Sequence, residues 1–211
     1  MTDQANQNLY GFNQETPEQM GNAPIPAGIN ENVKLVDLAY EPAKEGSTNM
    51  CLSFYFEDST GAQLRHTEWP IDVEETKRRA VQRGDDPTSA VQKRAQAQGV
   101  RIKHIATKVI PAERAVVSGA NSFEQYARAV VQLLKPALPA GPFRLKVILN
   151  NKDYSSLPPY TPFIERQTED PTKLKIDKSE RTQPQGQGAG NLAMPDDMNA
   201  GPGVDENDPP F

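Results

Sequence analysis

Catalytic chemistry would require nucleophiles, bases or metal ligands grouped at characteristic spacings, and this sequence offers few. Its two histidines, His66 and His104, stand far apart, and it contains no HExxH, CxxC, Walker loop or GxSxG. His66-Thr67-Glu68 lies in a strand pattern with no neighbouring ligand to complete a metal site, so His66 reads as a surface side chain. Cys51, the single cysteine, can form no intramolecular disulfide. It falls in a strand pattern as a small half-buried side chain, which suits a reducing compartment. The expectation is a non-enzymatic binding protein without metal or cofactor.

The chemistry these side chains favour is non-covalent recognition of a polyanion. The 211-residue chain has a net charge of −5, but its acids and bases are separated along the sequence. Residues 1–30 carry three acids and no base, and residues 167–211 carry nine acids against four bases. Residues 77–152 hold 15 Lys/Arg against four acids, Asp85, Asp86, Glu113 and Glu124. A merely solvated surface usually mixes signs, whereas a surface this basic attracts nucleic acid. Aromatics accompany the bases. Tyr55 is on the opposite strand face from Phe54 and Phe56, and Trp69 shares a face with Thr67 and Arg65. Rings that stack on unpaired bases, with Lys and Arg following the phosphates, hold single strands with little sequence preference. The same rings serve equally well in a core. The candidate contacts are Tyr55, Arg65, Trp69, Lys77, Arg78, Arg79, Lys93, Arg94, Arg101, Lys103, Arg144, Lys146, Lys152 and Tyr154. No zinc spacing, no basic region leading into heptads and no helix-turn-helix points to a reader of duplex DNA.

The elements that must position these residues are organised around residues 50–71. Met50, Leu52, Phe54 and Phe56 alternate with more polar neighbours, the turn-forming run 57–61 follows, and residues 64–71 return, which predicts an antiparallel hairpin. An isolated hairpin is marginally stable in water, so other segments must cover its apolar face. Residues 33–40 predict a preceding strand. Asp72 with Glu75 caps a short helix, and Asp86-Pro87 starts a second that Gly99 can stop near Gln98. Residues 100–110 are ambiguous, with Ile102, Ile105 and Val109 favouring helix. Ser122 with Gln125 opens a further helix in which Ala127, Val130, Val131 and Leu134 share a face before Pro136. Phe143, Leu145, Val147 and Leu149 alternate as a strand, and residues 163–165 form a last, edge strand.

About five antiparallel strands, interrupted after the third by a helical insertion at about 72–137, are most economically closed into a small barrel of the OB type. The alternative is an open α+β sheet covered by the helices. The expected division is a disordered segment at 1–30, a nucleic-acid-binding domain at 31–167, and a flexible linker with an acidic tail at 168–211. A mean hydropathy of −0.69 and 19 prolines fit disordered ends. No stretch reaches the ~20 apolar residues of a membrane span, and no signal peptide is visible, so no membrane contact is expected and the protein should be soluble and cytoplasmic.

The chain ends Asp205-Glu206-Asn207-Asp208-Pro209-Pro210-Phe211, an acidic segment that offers a partner an aromatic knob, a carboxylate and flanking negative charge. This tip resembles that of bacterial and phage single-stranded DNA-binding proteins. The segments HTEWP and YTPFIE are similar to phage-encoded members, which would act in the host cytoplasm. Pro209 stands where the bacterial tip has isoleucine, and the bacterial proteins lack an insertion as large as that between Trp69 and Phe143. The resemblance implies an OB-fold body that protects single-stranded DNA in replication, recombination and repair. It also implies that Asp205, Glu206, Asp208, Pro209, Pro210 and Phe211 recruit replication and repair proteins. RNA would satisfy the same stacking and phosphate contacts, and a homo-oligomer is compatible with the sequence. A competing expectation is a virion or scaffold protein whose disordered acidic ends organise an assembly.

Overall fold

A computed structural model describes residues 23–184. Six strands and three α-helices follow in the order β1 (Gly28–Pro42), β2 (Met50–Glu57), β3 (Gln63–Glu68), α1 (Val73–Arg83), α2 (Pro87–Val109), α3 (Phe123–Leu134), β4 (Ala140–Leu149), β5 (Ser155–Ser156) and β6 (Ile164–Arg166). All ladders between these strands are antiparallel, with the path β3-β2-β1-β4-β5 and β6 added to β4. The helical insertion after the third strand lets β4 return beside β1, which is the strand order of a Greek key.

β1 bonds to different strands along its two halves. Gly28 to Leu35 face β4, and Lys34 to Pro42 face β2. Register shifts occur on both sides, and Asn32 adopts φ 59°. Bulges bend a strand and increase its twist, so β1 curls and carries the sheet around one core. Phe54, Phe56, Phe143 and Phe163 are fully buried there with Leu35, Leu38, Leu52 and Leu145. The sheet is not closed. Among the described residues no strand ladder joins β3 to β5 or β6, and a seam is left between these edges.

Local chemistry sets the helices as expected. The side chains of Asp72, Asp86 and Ser122 accept hydrogen bonds from the backbone N–H groups of Glu75 (2.9 Å), Ser89 (2.6 Å) and Gln125 (3.2 Å). Gly84 ends α1 in the left-handed conformation at φ 77°. Gly99 does not end α2. The helix continues to Val109 because Ile102, Ile105 and Ala106 are buried one and two turns later, and this burial exceeds the roughly 1 kcal/mol cost of a helical glycine.

Two boundaries also differ from the sequence reading. The first strand starts at Gly28, and Ile25 before it is fully buried. A parallel bridge links Pro24 to Gln63, and Ser155 Oγ donates to the Ile25 carbonyl (2.7 Å), so residues 23–25 fill the lower part of the seam. At the other end, residues 168–184 belong to the body. Leu174 and Glu180 are buried, and Leu149 N–H donates to the Arg181 carbonyl (2.7 Å). Residues 1–22 and 185–211 lie outside the described residues, so the expected terminal disorder and the tip do too.

Two glycines should respond oppositely to alanine. Gly141 sits at φ 146°, and a Cβ there would meet the Val33 carbonyl oxygen at 2.9 Å, whereas a Cβ on Gly99 meets nothing within 4 Å. Gly141→Ala should therefore lower stability by about 2 kcal/mol or more. Gly99→Ala should raise it by up to about 1 kcal/mol, both read by denaturant unfolding.

Candidate nucleic-acid interface

The upper part of the seam is a groove of about 610 Å³ between the end of β3, α2 and the segment after β5. Arg65, Trp69, Arg94 and Arg101 line it together with His66, Gln98, Ser155 and Ser156, and with two acids, Glu68 and Asp72. Glu68 is buried where β3 leaves the sheet. Arg101 clamps it with Nε on Oε1 (2.8 Å) and Nη2 on Oε2 (2.8 Å), and Arg101 Nη1 donates to the Pro159 carbonyl across the seam (3.3 Å). Gln98 Nε2 donates to Glu68 Oε2 (3.1 Å) and to the Trp69 carbonyl (2.8 Å), fixing the chain on which the indole is carried. Desolvation pushes the Glu68 carboxyl up, but hydrogen bonds and charge from His66 and Arg101 outweigh it and bring it down to about 2. His66 is not a surface residue: its side chain is 14% exposed, and Nε2 lies 3.2 Å from Glu68 Oε1.

The outer face of β2 and β3 continues from this groove. Tyr55 and Arg65 are register partners, and the guanidinium lies 5.8 Å from the ring centroid. Arg65 spans the face, donating to Ser53 Oγ (3.1 Å), the Ala43 carbonyl (2.9 Å) and Glu41 Oε1 (2.9 Å). The Tyr55 hydroxyl also donates to Glu41. Burial and that hydrogen bond push the phenol up to about 12, so it stays a neutral donor. Arg65 and Glu41 are both partly solvated, so their ion pair is a weak one and the guanidinium stays partly open to solvent.

No protein-family model matches this chain, and no curated protein or solved structure shows significant similarity to it. Among the described residues no three His, Cys, Asp or Glu side chains are grouped to hold a metal ion, and no helix is long and apolar enough to cross a membrane.

The remaining candidates are dispersed. Lys93 lies on α2 beyond the groove, in an adjoining hollow, and Lys103 lines a different hollow between α2 and α3. On α1, Lys77 pairs with Glu74 (3.1 Å), and Arg78 and Arg79 pair with Glu75. Arg144 is engaged by Glu31 (3.3 Å) and Glu165 (3.2 Å) and by the Glu169 carbonyl (2.7 Å). Lys152 and Tyr154 are exposed on the turn between β4 and β5, Tyr154 at 66%. Lys146, expected at the surface as a nucleic-acid contact, is instead buried. Its side chain is 3% exposed, and its ammonium pairs with Glu180 (2.7 Å) and donates to the Lys175 carbonyl (3.0 Å), so it is unavailable to a nucleic acid. The basic segment of the sequence is thus not one basic surface. Nothing local in the sequence connects β3, α2 and β5, so it gives no signal for Glu68, Gln98, Ser155 and Ser156 as groove residues. The Arg101–Glu68 contact alone spans 33 positions.

Glu68→Gln should leave Arg101 facing a neutral partner and cost about 3 kcal/mol at neutral pH. The folded carboxylate titrates below its usual 4.5, so its contribution is complete above that value and disappears as the pH falls toward 2. Urea unfolding of both proteins should show the gap narrowing below about pH 4.5, and a gap independent of pH would mean that Glu68 is not ionised in the fold.

Proposed function

We propose that this protein binds single-stranded DNA, largely without sequence preference, and does no catalysis. The observation that carries this reading is the groove at the seam, where Trp69, Arg65 and Arg94 converge beside the Tyr55 ring while Arg101 is held by Glu68. Such a surface supplies what a single strand requires, rings for bases and guanidiniums for phosphates. On this reading the curled sheet is an OB-type barrel, a partly open Greek-key barrel whose second and third strands offer the binding face. The shared β1 and the Greek-key strand order support it. The acidic residues 205–211 would recruit replication and repair partners, in the manner of the phage and bacterial single-strand binders that the tip resembles.

Titrating the protein with oligothymidine tests this directly. Trp69 is the sole tryptophan, so its fluorescence should fall on binding, and the affinity should drop with salt at a slope of about −0.7 per phosphate neutralised. Arg65→Ala and Arg94→Ala should each weaken binding to the same extent for every sequence. Absence of binding at low salt contradicts the proposal. Truncation after Pro184, which spares Glu180 and Arg181 in the body, should tighten binding at low salt by removing acids that compete for the groove.

A further inference from the structure

The groove does not end at Arg101. A second hollow of about 350 Å³ lies beyond that guanidinium, bordered by Lys93 and Val100 of α2 and by Tyr160 and Thr161. The two share Ala97, Arg101 and Pro159, so the Arg101 contact with the Pro159 carbonyl forms a neck between them. Each compartment contains one large aromatic, Trp69 in the first and Tyr160 in the second.

Tyr160 is 44% exposed, yet it is held firmly. Its hydroxyl donates to Glu180 Oε1 (3.0 Å), and Lys146 Nζ lies 5.5 Å from the ring centroid. Those two anchors are themselves a buried ion pair. A ring fixed in this way and left open to solvent has lost its rotational freedom before any ligand arrives, so a base that stacks on it pays little ordering entropy. Lys93, exposed on the facing helix, sets a cation beside the ring.

We propose that Tyr160 is a second base-stacking platform with Lys93 as its phosphate contact, so that one strand runs from Trp69 past Arg101 to Tyr160. The proposal rests on the single-strand reading and extends it to a side chain outside the β2–β3 face. Tyr160→Ala should bind oligothymidine roughly tenfold more weakly, while Tyr160→Phe, which keeps the stacking ring and its Lys146 contact but loses the Glu180 hydrogen bond, should lose clearly less than that. Photo-crosslinking the unaltered protein to oligonucleotides containing 5-iodouracil makes the test independent of how the variants fold, and should place a nucleotide on Tyr160. Crosslinks near Trp69 with none on Tyr160, together with unchanged affinity of Tyr160→Ala, would overturn this inference and leave the single-strand reading standing. Failure of the unaltered protein to bind any single strand would overturn both.

Discussion

Arg101 joins the two lips of an open sheet. Its fork holds the buried Glu68 carboxylate at the end of β3, and its remaining nitrogen reaches the Pro159 carbonyl on the other side. Only a planar guanidinium makes these contacts together, and a lysine ammonium would not reproduce them. Desolvating such a pair costs about as much as the attraction returns, but an unpaired Glu68 is strongly disfavoured, so the pair ties α2 to the end of β3. The same helix buries Ile102 and Ile105 in the core and lines one wall of the groove.

The curl that creates the seam originates in β1. A strand that bonds to β4 along one half and β2 along the other cannot remain flat, and its bulges concentrate the bend. The exposed edges are then covered piecemeal. Residues 23–25 bridge the start of β3 to Ser155, and the C-terminal part of the body lies over β4 through Glu180 and Arg181. The second cover is what buries Lys146 and anchors Tyr160. Stability and site geometry therefore share the same contacts, and the groove has both walls set before any ligand binds.

What the sequence disclosed was local. The caps at Asp72, Asp86 and Ser122 and the Phe54/Phe56 alternation are decided within a few residues, and the structure follows them. Gly99 misled because a local stop signal is outweighed by burial of isoleucines further along the helix. Ile25 was hidden as one apolar residue among prolines, with nothing local to show that it fills the seam. Charge was misleading in a more instructive way. The surplus of bases in residues 77–152 is offset in space by acids from outside that segment, with Arg101 on Glu68, Lys108 on Glu169, Arg144 on Glu31 and Glu165, and Lys146 on Glu180. Linear charge density therefore overstates surface potential, and the groove is defined by where an indole and a few arginines converge.

Hydrogen exchange of the full chain with and without saturating oligothymidine tests the central claim most directly. Binding along the seam predicts slowed exchange in β2, β3, the middle of α2 and residues 155–161, with little change in α3 and residues 112–118. Protection centred on α3 and residues 112–118, with β3 and residues 155–161 unchanged, would place the nucleic acid elsewhere and contradict the account.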